Sequence, residues 1–341
     1  MAGRVDRGGG VRRRWWLLLL ALGLGALVPL VLGGAGAFHG LTLIPAGWLL
    51  LMVAMIFLCW NLNAWRLRIM LAERAEGLGH GGALATVMAT ECALNATPGG
   101  SGAPFTLVAL LRRYQVAPAT ATAVFAVDQI TDLVVFLVLL PTVALYGLSR
   151  YLDLEGWWQL VLPMVLLGLA LLLCWLVANR FSDILRFTDP WLERWQVPLR
   201  RRRALARALL RFRQSMVETL RVPRRRLMAL FGLCLAHWLL RYSVIYLTVL
   251  ALGKHVDWVY GFFVQMMAMG AGYLTLLPGG AGGAEVAGAA LLTPWLGAVS
   301  TATVLLVWRF MTFYLYLLVG GGCLLALAGR EATAMLGHRE R

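Results

Sequence analysis

The chain is a series of long apolar runs separated by short segments that carry arginine. Six runs are long enough to cross a hydrocarbon core, which takes about 20 residues of helix: Trp15–Val31, Leu43–Trp65, about 119–147, Trp157–Ala178, Leu227–Leu252 and about Ala298–Ala328. Two further apolar stretches, 81–113 and 258–295, are each interrupted near the middle by Pro-Gly-Gly. Proline removes a backbone donor and glycine allows positive φ, so each stretch is predicted as two short helices joined by a reversal.

The two interruptions repeat one another. TPGGSGAP at 97–104 returns as LPGGAGGA at 277–284, and an ungapped overlay also matches Ala109 with Ala289, Leu111 with Leu291, Val124 with Val304 and Val127 with Val307. Paired Gly/Pro breaks at corresponding places in two halves of a membrane chain point to a transport site, because broken helices present backbone groups inside the bilayer.

Arginine-rich loops belong on the cytoplasmic side. The N-terminus, the 66–80 loop, Arg112-Arg113, the 180–226 segment and the C-terminus hold nearly all the positive charge. The stretch 81–113 therefore starts and ends on that side, and 258–295 must turn back from the opposite side if both termini are cytoplasmic. The expected fold is an all-α polytopic membrane protein with about six transmembrane helices and two oppositely oriented re-entrant helical hairpins in an inverted repeat. Repeat one covers about 43–147 with its hairpin at 81–113, and repeat two about 227–328 with its hairpin at 258–295. Residues 179–226 form a basic, amphipathic cytoplasmic segment within a single integral membrane domain, 1–341. Ala35-Gly36-Ala37 resembles a signal-peptide cleavage site, but the apolar run before it is long for a signal peptide, so its retention is expected.

Composition narrows the function classes. Hydrophobic residues make up 60% of the 341, and the largest polar stretch, Asn179 to Arg226, is too short and too arginine-rich for a catalytic domain. Formal net charge is +15. Between 180 and 226, 14 arginines face four acids, with Trp191, Trp195, Leu205, Leu209 and Phe212 interleaved. That pattern suits anionic lipid headgroups rather than nucleic acid. The five cysteines stand singly and no histidines cluster, so neither a metal nor a disulfide frame is expected. No phosphate-binding nucleotide loop occurs, and no cofactor is expected.

Candidate chemistry concentrates at the breaks. Gly99, Gly100 and Gly102 after Pro98 lead into a helix starting near Ala103-Pro104, whose free N–H groups would favour an anion. Asn95 is placed to cap or line that turn. Ser101 falls short of a nucleophile elbow, since the fifth position is Ala103. Asp128 and Asp132 share one face of the following helix, and ionisable residues inside a span are functional candidates. The alternative is a structural counter-charge to an arginine, and a pair with Arg309, which overlays Gln129, would satisfy both. Pro278, Gly279, Gly280 and Gly282 shape the second turn, and Glu285 falls in the first turn of the helix after it, where it complements the helix dipole or takes a proton, cation or amine. Glu91 is a further candidate of that kind, and His237 and Arg241 share a helical face.

At these residues the chain resembles the lysylphosphatidylglycerol synthase transmembrane family, the flippase-like or UPF0104 membrane proteins, over most of its length from the second span onward. Asn95…Pro98-Gly99-Gly100…Gly102 with Leu110-Leu111-Arg112-Arg113, Asp128-Gln129…Asp132, and Pro278-Gly279-Gly280…Glu285 with Trp308-Arg309…Thr312…Tyr314 carry the likeness. It implies movement of a phospholipid, glycolipid or hopanoid-type lipid across a prokaryotic cytoplasmic (inner) membrane. No soluble aminoacyl-transferase domain accompanies these residues, so the implied role is transport rather than catalysis. The chain departs from the family where the motif arginine is Gln129 and where Gly100, Ala103 and Thr106 replace charged residues of the first hairpin. Two other roles fit the residues: a membrane accessory for a lipid- or glycan-modifying enzyme, and a small-solute secondary transporter.

Overall fold

The computed structural model describes residues 8–152 and 223–339, with a few positions between 165 and 219. Every regular element among them is helical. In chain order these are α1 (Gly8–Gly33), α2 (Gly36–Thr42), α3 (Ala46–Leu71), α4 (His80–Ala96), α5 (Gly102–Leu111) and α6 (Pro118–Leu152). There follow α7 (Arg224–Arg241), α8 (Val244–Ala251), α9 (Trp258–Thr275), α10 (Gly283–Leu296), α11 (Ala298–Arg309) and α12 (Leu315–Arg339). A π-helical turn, Phe310–Tyr314, joins α11 to α12.

Five stretches among the described residues are long and apolar enough to cross a membrane: Trp16–Gly33, Ala46–Leu71, Pro118–Val143, Arg224–Ala251 and Ala298–Leu327. They coincide with five of the six predicted spans. The remaining one, Trp157–Ala178, and nearly all of the basic 179–226 segment lie outside the described residues. Large apolar side chains stand exposed along these elements, including Leu50 at 70% and Leu318 at 74%, and also on α9, where Leu274 is 86% exposed. Water penalises such a surface, whereas lipid tails do not.

The chain forms two compact units. The first comprises Met1–Asn61, Leu84–Thr106 and His237–Arg341. Its centre is the α9/α10 pair, whose start is fixed by Asp257, which caps α9 by accepting from the Val259 N–H at 2.8 Å. The α10 C-terminus is closed by Lys254 Nζ, which donates to the Leu296 carbonyl at 2.8 Å. Helices α1 and α2 pack on α11 through small residues: Gly33 lies against Ala302, Gly36 against Val299 and Gly40 against Thr303. Thr303 Oγ1 donates to the Ala37 carbonyl at 3.1 Å across that contact. Close backbone approach of this kind is how helices associate where no hydrophobic drive exists between them. The N-terminal helix, flanked by Ala35-Gly36-Ala37, is thus part of the first unit's packing.

The Arg224–Ala251 stretch is not one continuous helix. It breaks at Tyr242-Ser243, and a buried glutamine from α9 spans the gap: Gln265 Nε2 donates to the Arg241 carbonyl at 2.9 Å and its Oε1 accepts from the Ile245 N–H at 3.3 Å. Gln265→Leu should leave both backbone groups unsatisfied in an apolar interior, at about 1–3 kcal/mol each. A clear fall in the melting temperature of the purified variant is expected, and an unchanged one would show that the break finds other partners.

The second unit comprises Leu62–Ala83 and Leu107–Ala236. Leu67, Met70, Leu71, Val124, Val127 and Cys234 are among its buried residues. The linker after α3 is held by Arg74, which donates through Nε to the Leu71 carbonyl at 3.2 Å and through Nη2 to the Met70 carbonyl. Burial lowers the Arg74 pKa from its ordinary value, against the opposing pull of Glu218.

Candidate functional site

Both Pro-Gly-Gly turns are tight reversals of the predicted kind. Gly99 and Gly100 have φ of 58° and 70°, and Gly279, Gly280 and Gly282 have 61°, 66° and 83°. In each turn the first glycine of the next helix, Gly102 or Gly283, sits where a Cβ would strike a threonine methyl and a carbonyl of the preceding arm. The two turns lie against each other within the first unit, with the place a Gly99 Cβ would take 3.8 Å from Leu276 Cδ2.

The backbone donors of the first turn are consumed by the turn itself. Gly100 N–H donates to the Thr97 carbonyl, Ser101 N–H to the Pro98 carbonyl, and Gly102 N–H to Thr97 Oγ1 at 2.8 Å. Pro104 has no N–H. The expected anion cradle at this helix start is therefore largely spent, because reversing the chain in four residues takes the same donors. Asn95 does not cap the turn either. It is buried in the last turns of α4, where its Nδ2 donates to the Glu91 carbonyl at 2.9 Å.

The second turn is stapled by an arginine. Arg309 Nη1 and Nη2 donate to the carbonyls of Gly279 and Gly280 at 2.9 and 3.2 Å, and its Nε lies 2.6 Å from Glu285 Oε1. The Nε–H does not point along that last line, so the contact is an ion pair rather than a hydrogen bond, and Glu285 Oε2 has no hydrogen-bond partner among the described residues. Both side chains are essentially fully buried, at 1% and 0%. The guanidinium also lies over the Trp308 ring at 4.8 Å. Its neighbour Tyr314 donates to the Leu22 carbonyl of α1 at 2.8 Å.

Arg309 thus pairs with Glu285, and the aspartates find a different arginine. In the second unit, Asp128 and Asp132 both reach Arg66 Nη2, at 2.7 and 2.8 Å. Arg66 also donates to Asn63 Oδ1, and Cys234 Sγ donates to Asp132 Oδ1 at 3.1 Å. Read as a cytoplasmic arginine closing the second span, Arg66 is in fact 2% exposed. Two carboxylates one turn apart need one nearby cation, and α3 supplies it. The doubled acid was the signal in the sequence; which of 30 arginines answered it was not.

A further pair forms in the first unit, where Arg241 Nη1 donates to Glu91 Oε2 at 3.3 Å. Arg241 lies over the Tyr316 ring at 4.5 Å, and Tyr316 meets Trp60 edge-on at 5.0 Å. On the same helix, His237 Nδ1 lies 3.3 Å from the Cys59 carbonyl. Tyr316 and Trp60 carried no sequence signal, being aromatic residues in apolar helices. A separate cavity of about 390 Å³ in the second unit is lined by Trp65, Arg68, Ile69, Leu71, Ala72, Leu78 and Arg226, none of them a predicted site residue. Among the described residues no three His, Cys, Asp or Glu side chains gather closely enough to hold a metal ion.

An apolar-surfaced chain whose described elements are all helical, several of them of membrane length, is a polytopic helical membrane protein. The family model described as Lysylphosphatidylglycerol synthase TM region matches residues 16–320, and the chain belongs to that family. No curated protein matches it.

Proposed function

We propose that the protein moves an amphipathic lipid between the leaflets of a prokaryotic cytoplasmic membrane, with the two Pro-Gly-Gly hairpins as its gate. The supporting observation is that the two turns touch, while each hairpin is tied by a glutamate to an arginine on another helix: the part-buried Glu91 to Arg241 and the fully buried Glu285 to Arg309. In the proposed topology the hairpins are re-entrant from opposite faces within an inverted repeat, both termini and the 179–226 segment are cytoplasmic, and six helices span. Anionic headgroups would bind the basic segment, and a lipid-modifying enzyme is a natural partner. Family membership supports a membrane role around lipid chemistry.

The test is reconstitution into liposomes carrying fluorescent lipids, read by quencher access from outside. Inner-leaflet label should become accessible faster than in empty liposomes, and Glu285→Gln, which leaves Arg309 unpaired beside the turn, should slow exchange at least about tenfold. If no anionic, zwitterionic or glycosylated lipid exchanges above the empty-liposome rate, the reading fails.

A further inference from the structure

The two Glu–Arg pairs of the first unit are not equivalent. Arg309 donates to two carbonyls and pairs with Glu285, and both side chains of that pair are sealed from solvent. Among the described residues the Arg241 guanidinium makes a single hydrogen bond, the 3.3 Å contact to Glu91, and the two side chains keep 10% and 15% exposure. Arg241 is held in place mainly by aromatic faces, Tyr316 at 4.5 Å and Trp238 at 5.7 Å. Two buried donors have no hydrogen-bond partner among the described residues: the hydroxyl of Tyr316, whose ring Arg241 lies over, and Nε1 of Trp60, which packs edge-on against that ring. Tyr316 is 0% exposed and Trp60 3%.

A cation with spare N–H groups, flanked by an unused O–H and an unused N–H, is a donor set for an oxyanion. The guanidinium charge disfavours a metal ion or an amine there. The resting pair is neutral, so an incoming monoanion would leave one uncompensated negative charge in an apolar interior. That charge disappears if the displaced carboxylate takes up one proton.

We infer that Glu91, Arg241, Tyr316 and Trp60 form an exchange site in which a singly charged phosphodiester displaces Glu91 from Arg241 as Glu91 binds one proton. The balance is simple: the guanidinium–carboxylate pair plus phosphodiester anion plus H⁺ becomes a guanidinium–phosphodiester pair beside a neutral carboxylic acid. Cys59 of α3, Arg241 of α7 and Tyr316 of α12 are near Glu91, Tyr242 lies beside Arg241, and His237 of α7 reaches the Cys59 carbonyl with Nδ1 at 3.3 Å. Of these, Glu91 alone is a carboxylate, the group whose negative charge the incoming anion would replace. The inference rests on the translocation reading in one respect, that a phosphodiester reaching this depth belongs to a lipid headgroup.

The purified full chain in uncharged detergent would be titrated with dihexanoyl phosphatidylglycerol and, separately, with soluble glycerophosphoglycerol, both singly anionic from pH 5 to 8. Calorimetry in buffers of different ionisation enthalpy counts the protons. One proton taken up per anion bound is expected, with affinity weakening about tenfold per pH unit on the alkaline side. Glu91→Gln should bind with no proton uptake and a flat pH profile, and Arg241→Ala should not bind. If gel filtration shows Arg241→Ala misfolded, Glu91→Gln decides alone. Binding by both ligands assigns recognition to the phosphodiester itself, and binding by the lipid alone assigns it to a lipid headgroup with its tails. Proton-free binding by the wild type, proton uptake persisting in Glu91→Gln, or no saturable binding of either ligand overturns the inference. Binding with proton uptake but no lipid exchange in liposomes would remove the translocation reading and leave the site. Lipid exchange without proton uptake would remove the site alone.

Discussion

Arg309→Ala is expected to be the most damaging single substitution in the first unit. Removing one partner of a buried ion pair leaves Glu285 charged and unpaired in an apolar interior, at about 3–5 kcal/mol. The same change frees the Gly279 and Gly280 carbonyls, each worth about 1–3 kcal/mol when buried without a donor. These costs share one site and will not add fully, yet any fair fraction is large against the marginal stability of a folded chain. Arg309→Lys should recover only part of the loss, because an ammonium can face Glu285 but lacks the planar fork that serves two carbonyls as well. Arg241→Ala should cost less, since that pair is longer and partly exposed. Replacing both members, Glu285→Leu with Arg309→Met, should be milder than Arg309→Ala alone, because no orphan charge remains. Thermal unfolding followed by size-exclusion recovery in detergent reads all of these. An Arg309→Ala protein that melts with the wild type would show that the arginine does not staple the turn.

The second large effect is expected at Gly280, with Gly99 as its control. Both have positive φ, 66° and 58°, so alanine at either pays the left-handed cost of about 1–2 kcal/mol. Their surroundings differ. A Cβ on Gly280 would lie 2.8 Å from Gly272 Cα and 2.9 Å from its carbonyl carbon, backbone atoms of the facing helix that cannot swing aside. A Cβ on Gly99 would meet only Leu276 Cδ2, at an ordinary 3.8 Å. Gly280→Ala should therefore force the α9/α10 arms apart and lower the melting point sharply, while Gly99→Ala shows the conformational cost alone. Equal losses in the two variants would mean that backbone strain, not interhelical contact, sets the requirement for glycine.

Much of this was legible before any coordinates. Apolar run length is a local property, so five of the spans could be read directly, and so could the reversals at Pro98 and Pro278, where proline and glycine act on their own backbone. Glu285 in the first turn of α10 follows from its distance to Gly280. The family likeness rested on the same local motifs. The overlay that matched Gln129 with Arg309 misled where it was used to infer a contact, because sequence register says nothing about which helices are neighbours.

Pairing of charges was the part that needed the fold. The sequence by itself determined that the chain is helical, built for a membrane, and broken twice at duplicated glycine-rich turns, since each of these depends on residues within one or two helical turns of one another. Only the tertiary structure decided that Arg66 answers Asp128 and Asp132, that Arg309 closes on Glu285 and two glycine carbonyls, and that Arg241 rests on Tyr316 beside Glu91. A buried charge is satisfied by whichever opposite charge packing brings within about 4 Å, and packing is a property of the whole chain.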